Sequence, residues 1–139
     1  MGLARIELAK QVCTYDAQGT ENGFLTELFK DEKKTVVYLS ATKPGAFKGY
    51  HLHRVRASRY VCIKGRMKVI VYKNKVREEY ILDAKRPQRL LIPANVATGL
   101  HNIGNDEAWL INYPDPAYDP DLKDEQVEYT EEELNKGII

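Results

Sequence analysis

The sequence predicts an all-β fold, an antiparallel sandwich or barrel, on three observations. Short runs rich in β-branched and aromatic residues follow one another from Phe24 to Tyr113. Clusters of Gly, Pro, Asn and Asp separate these runs at the spacing such folds use. No segment before Pro114 carries a helical period.

In order along the chain, residues 1 to about 22 form an arm or N-terminal strand closed by the turn Gln18–Gly23. Strands are expected at Phe24–Phe29 and Thr35–Ser40, joined by the polar turn Lys30–Lys34. The turn Thr42–Gly45 leads to a strand at Lys48–His53. Arg59–Lys64 and Met67–Tyr72 are expected to fold back on each other at Gly65. After the turn Lys73–Lys75 come Tyr80–Asp83 and Arg89–Ile92, parted by Lys85-Arg86-Pro87. Gly99–Ile103 and Ala108–Tyr113 then form a last hairpin around Gly104-Asn105-Asp106. From Pro114 the tail is irregular, with Leu122–Glu125 as a solvated acidic face. Thr130 and Glu133 have the spacing of a capping box and predict a short helix over Glu131–Asn135.

With 139 residues the chain is expected to be a single domain, and it shows no internal repeat. A net charge of +1 gives no electrostatic reason to expect nucleic acid or an anionic membrane as partner. No apolar run approaches the ~20 residues of a membrane span, and the first residues lack the apolar core of a signal peptide. Cys13 and Cys62 have no metal or redox spacing, so two reduced thiols in a cytoplasmic protein are expected.

Chemistry concentrates at Lys48-Gly49-Tyr50-His51-Leu52-His53, which holds two of the three histidines. Two residues apart on a strand, His51 and His53 face the same side. Two imidazoles turned into an interior are costly without a purpose. Ser58, Tyr60 and Cys62 share an inward phase on the next strand. His101 lies far along the chain.

Gly45-x5-His51-x-His53-x4-Ser58-x6-Gly65 resembles the first cupin motif, and Pro93 to Asn105 resembles the second. The resemblance implies a cupin jelly-roll barrel with a short C-terminal helix. A metal-binding cupin takes two histidines and a glutamate from the first motif and a histidine from the second. Here those last two positions hold Ser58 and Thr98, and His101, three residues on, should face the opposite side from Thr98. Two imidazoles alone make a weak metal site.

The losses match the RmlC-like nucleotide-sugar branch, the dTDP-4-dehydrorhamnose 3,5-epimerases and dTDP-4-keto-6-deoxyhexose 3,4-ketoisomerases. Lys48-Gly49-Tyr50-His51-Leu52-His53 is similar to the ketoisomerase Arg-Gly-Tyr-His-x-His. Ile92 to Gly99 is similar to the epimerase Ile-Pro-x-Gly-Phe-Ala-His-Gly, and Tyr118 to Glu125 to the epimerase tail. The resemblance implies proton removal next to the ketone of a nucleotide-linked 4-keto-6-deoxy sugar, with dTDP as the expected nucleotide. It implies no metal and no organic cofactor, and a cytoplasmic homodimer.

By the same resemblance His51 is the catalytic base. The acid comes from the late strand, with Tyr113 the nearest candidate and Asn112 and Ile111 competing for the position. Tyr38, one strand earlier, is a second possible donor. The enolate-stabilising lysine position falls on Ser58, leaving Arg56 or Arg59 for that role. His53, Lys48, Arg56, Ser58, Arg59, Tyr60, Tyr38 and Thr98 are the expected substrate contacts. The cationic cluster Lys48, Arg54, Arg56 and Arg59 suits a diphosphate. The carboxylate partner of His51 has no assigned position. A metal-dependent cupin enzyme and a non-catalytic sugar- or nucleotide-binding cupin are the competing expectations.

Overall fold

The protein is described by a computed structural model covering residues 10–31, 35–116 and 119–139, with residues 28–31 and 35 described by their backbone alone. The strands are β1 (Gln11–Tyr15), β2 (Glu21–Asp31), β3 (Thr35–Thr42), β4 (Phe47–His53), β5 (Ser58–Lys64) and β6 (Arg66–Lys73). They continue with β7 (Val76–Asp83), β8 (Leu90–Ile92), β9 (Ala97–Asn102), β10 (Ala108–Asn112) and β11 (Gln126–Glu128), and the helix α1 spans Glu131–Asn135. The start of the N-terminal arm, part of the Lys30–Lys34 turn and Tyr118 lie outside the described residues.

The strands form two antiparallel sheets. One runs β1-β2-β3-β10-β5-β8 and the other β11-β4-β9-β6-β7. From β3 onward the chain repeatedly crosses from one sheet to the other, which is the jelly-roll pattern. Two expected hairpins are corrected by this crossing. Gly65 does not close a hairpin, because β5 pairs with β10 and β8 while β6 pairs with β7 and β9. Nor do β9 and β10 pair, since they belong to opposite sheets. Turn residues mark where a strand ends but not which sheet receives the next one. The Lys73–Lys75 turn does close a hairpin, β6 to β7, with Asn74 and Lys75 at positive φ.

The main core lies between the sheets. It contains Tyr60, Cys62, Met67, Val69, Val71, Leu82, Ile92, Leu100, Ala108 and Leu110. A second cluster covers the outer face of the five-stranded sheet, where Leu134 of α1 packs on Tyr50, Leu52, Ile70, Tyr72 and Ala97. The helix forms where expected: the Thr130 side chain accepts from the Glu133 amide, and the Glu133 carboxylate accepts from the Thr130 amide. The tyrosine hydroxyls of this face reach the helix too, Tyr72 donating to Asn135 at 3.0 Å. Trp109 lies on the outer face of the six-stranded sheet, beneath the Lys64 ammonium and edge-on to Phe24.

Candidate active site

Strand β4 carries the histidines, and its alternation is reset once. Tyr50 and Leu52 belong to the outer cluster, so His51 and His53 face the space between the sheets. Lys48 faces inward as well, three residues before His51. The register against β9 shows how: Lys48 pairs with Leu100 and His51 with Thr98, so β4 holds one extra residue. Gly49 makes this possible. It has φ +134°, and a Cβ there would come within 2.8 Å of the Thr98 carbonyl and 2.9 Å of the Gly99 Cα.

The opposite edge of β4 is covered by β11, which sequence reasoning missed. Gln126 pairs with His53 and Glu128 with His51. Paired residues on adjacent strands share a face, so this strand lines both imidazoles with polar groups. His51 Nδ1 lies 3.6 Å from Glu128 Oε1 and 3.4 Å from Gln126 Nε2. His53 Nδ1 lies 3.2 Å from Glu125 Oε1 and 3.0 Å from Arg56 Nη2. Burial lowers the pKa of both histidines below the ordinary 6.5. For His53 the Arg56 charge lowers it further, against the opposing pull of Glu125.

Glu125 is only 6% exposed and is no solvated face. Its Oε1 accepts from Arg56 Nε at 2.7 Å, and its Oε2 accepts from the amides of Val55 and Arg56 at 3.2 and 3.1 Å. Burial alone would raise its carboxyl, but these hydrogen bonds outweigh it and hold the pKa near about 2.

Two hollows meet these side chains. One, of about 240 Å³, is lined by His53, Arg56, Tyr38, Asn112, Leu25 and Gln126. The other, of about 710 Å³, is lined by His51, Lys48, Glu128 and residues of the β1–β2 turn. The first lies between the inner faces of the two sheets. Tyr38 pairs directly with Asn112, and Asn112 with Tyr60, so all three sit on one face. The Asn112 Oδ1 is buried and has no hydrogen-bond partner.

Several expected site residues are placed elsewhere. Tyr113 is 41% exposed and packs under the Arg59 guanidinium on the outer face of the six-stranded sheet. Arg59 itself pairs with Asp115 at 3.2 Å on that outer face. Both follow from strand alternation: Tyr60 and Asn112 point in, so their neighbours point out. The late strand therefore presents Asn112, not Tyr113, to the hollow. Tyr60 is buried in the core beside Ser58, which is buried too, so it does not offer a stacking face. Lys48 lines the larger hollow, but its ammonium is spent on Phe24 O, Ser40 Oγ and Ala41 O. Burial lowers its pKa to about 8. Lys48, Arg56 and Arg59 thus do not converge on a diphosphate cradle, and Arg54 is exposed. Thr98 shares the inner face with His51, and His101 lies on the outer face against Phe47. Among the described residues no three His, Cys, Asp or Glu side chains are grouped to hold a metal ion. The donor set at the cupin metal position, two imidazoles and two hydroxyl side chains, does not fit one.

Two antiparallel sheets between which the chain repeatedly crosses, with paired histidines on an inner strand, form a cupin jelly roll. The chain belongs to the polysaccharide biosynthesis C-terminal domain family, whose model matches residues 18–126. It is 28% identical over 120 residues to the "Probable low-salt glycan biosynthesis epimerase Agl13" of Haloferax volcanii, covering 76% of this chain and 77% of that protein. It also superposes on the capsular polysaccharide assembling protein CapF from Staphylococcus aureus with a TM-score of 0.71 at 19% identity, covering 85% of this chain and 31% of CapF. The chain thus spans about a third of the CapF chain. A more distant likeness, to oxalate oxidase, has a TM-score of 0.54 and 16% identity over 59% of this chain and 42% of that one.

Proposed function

We propose that this protein is an isomerase that moves a proton on the carbon next to the ketone of a nucleotide-linked 4-keto-6-deoxy sugar, in glycan or polysaccharide biosynthesis. The observation that carries this reading is the pair of half-buried imidazoles on one inner face, each with Nδ1 turned to groups of the C-terminal tail. That arrangement leaves Nε2 of each ring for a molecule in the hollows. Burial keeps both rings neutral near pH 7, as a general base requires.

In this reading His51 is the base. Glu128, with Oε1 3.6 Å from Nδ1, favours a proton on that nitrogen, the Gln126 amide turns its oxygen to it, and the Nε2 lone pair takes the proton from carbon. Tyr38, across the smaller hollow, replaces Tyr113 as the candidate to return a proton, and Asn112 contacts the sugar beside it. The reaction needs no metal or organic cofactor, since the acidity of a proton next to a ketone is within reach of a positioned histidine. The larger hollow, of about 710 Å³, has the size typical of small-molecule sites, about 300–1,000 Å³. The sugar-biosynthesis family and the likeness to a glycan biosynthesis epimerase support the substrate class. A dTDP carrier, a homodimer and a cytoplasmic setting belong to the same proposal.

The test is incubation in deuterated water with dTDP-, GDP- and CDP-linked 4-keto sugars. Deuterium entering the carbon next to the ketone, and loss of that exchange in His51→Asn, is the expected result. Tight binding of a nucleotide sugar without exchange points instead to a binding module. A stoichiometric transition metal in purified active protein, with activity lost on its removal, overturns the metal-free part.

A further inference from the structure

We infer that Arg56 and Glu125 are positioning residues that hold His53 as a neutral imidazole with its proton on Nε2, so that His53 donates a hydrogen bond into the smaller hollow. The inference rests on the proposed reaction for its chemical use, the stabilisation of a developing enolate oxygen, but the tautomer itself can be read without any substrate.

His53 Nδ1 lies between an obligate donor and an obligate acceptor. Arg56 Nη2, at 3.0 Å, can only donate. Glu125 Oε1, at 3.2 Å, can only accept while it is ionised. One ring nitrogen cannot satisfy both, and the remaining partners break the tie. The Glu125 carboxylate already takes three hydrogen bonds, from Arg56 Nε and the Val55 and Arg56 amides. It gains little from a fourth. A proton on Nδ1 would instead face the guanidinium N–H head-on, in a buried place where that repulsion is weakly screened. The Nδ1 lone pair accepting from Arg56 removes the conflict and sends the proton to Nε2.

The charged and polar groups around the ring agree. Arg56 lies behind it, His51 two residues back on β4, Gln126 beside it on β11, and Tyr38 and Asn112 across the hollow. None of these except Glu125 favours an imidazolium, and Glu125 is neutralised by Arg56. The direction of the His53 pKa is the same. A neutral imidazole is the better partner for an enolate oxygen, because its acidity is closer to that of the enol and it carries no charge to desolvate. The two histidines then have opposite duties: His51 offers a lone pair, and His53 offers a proton.

The test is nitrogen-15 NMR of the imidazole rings in ligand-free full-length protein at pH 7.5, with His53 assigned by its disappearance in His53→Asn. The expected spectrum shows His53 Nε2 protonated and Nδ1 bare. A protonated Nδ1 with bare Nε2, or an imidazolium, overturns the inference. Arg56→Met leaves Glu125 ionised without its guanidinium, so Arg56→Met/Glu125→Gln is made beside it. In the double variant the His53 tautomers are expected to mix, with kcat down by about 10²-fold and KM changed less than about threefold. A double variant that keeps the wild-type tautomer and kcat also overturns it. If the ring shows Nε2–H but no nucleotide sugar exchanges, the proposed reaction fails and the tautomer assignment stands.

Discussion

Arg56 Nε and Glu125 Oε1 lie 2.7 Å apart, joining the segment after β4 to the residue just before β11 across 69 positions of sequence. The pair ties the C-terminal tail to the histidine strand. Breaking a buried pair by removing one member leaves the other charge uncompensated and costs about 3–5 kcal/mol. Glu125→Ala is therefore expected to lose stability in that range, measured by urea unfolding. Glu132→Ala, on the exposed face of α1, is the control and is expected to stay within about 0.5 kcal/mol.

His51→Asn preserves size and polarity but removes the proposed base. Turnover is expected to fall by about 10²–10⁴-fold, with an unchanged circular dichroism spectrum and melting temperature. Full activity in this variant on every accepted substrate would show that another group takes the proton.

Tyr113→Phe and Arg59→Ala separate the sequence expectation from the folded arrangement. Both residues sit on the outer face, so each variant is expected to keep kcat/KM within about threefold. Tyr38→Phe, inside the hollow, is expected to lower kcat by more than about tenfold. Steady-state kinetics on one substrate compares all three.

Stability should depend on pH in two steps. His51 and His53 have folded-state pKa values below 6.5, so on acidification the unfolded chain binds protons first. Their contribution is complete above about 6.5 and is lost as the pH falls from there toward the folded values. The slope for both together is at most about 2.7 kcal/mol per pH unit. Glu125 shifts in the same direction from its own reference, from 4.5 to about 2, so its contribution is lost as the pH falls between those values. Urea midpoints across a pH series should show the first decline and, in His51→Asn, a shallower one.

Leu134 is 1% exposed and anchors α1 to the outer face of the five-stranded sheet. Leu134→Ala is expected to cost about 2–5 kcal/mol, measured by thermal or urea unfolding.

Most of the strands were legible because their β-branched and aromatic runs exceed five residues and are bounded by turn formers. The helix was legible from its capping box alone. The inward phase of Ser58, Tyr60 and Cys62 followed from simple alternation. What was not legible is the part of the site supplied at long range. Gln126-Val127-Glu128 is too short to announce a strand, and only its pairing with β4 makes it one. Glu125 looks like any acidic loop residue until Arg56 and two amides converge on it. Resemblance left Tyr113, Asn112 and Ile111 open for one late-strand position, and only the register places Asn112 inside. The cations around the histidines cluster in sequence, yet alternation and local hydrogen bonding send them to separate tasks.

Gly49 bears on how the motif around the histidines can be varied. A methyl group at that position would collide with backbone atoms of β9, which cannot move aside without disturbing the centre of the sheet. Relief would come from lifting β4 away or from losing the extra residue, and losing that residue alone reverses which side Lys48 or the two imidazoles address. A relative that retains both histidines but not this glycine would thus keep the reactive atoms while altering their aim, so the glycine belongs in any criterion for recognising the same chemistry in other chains.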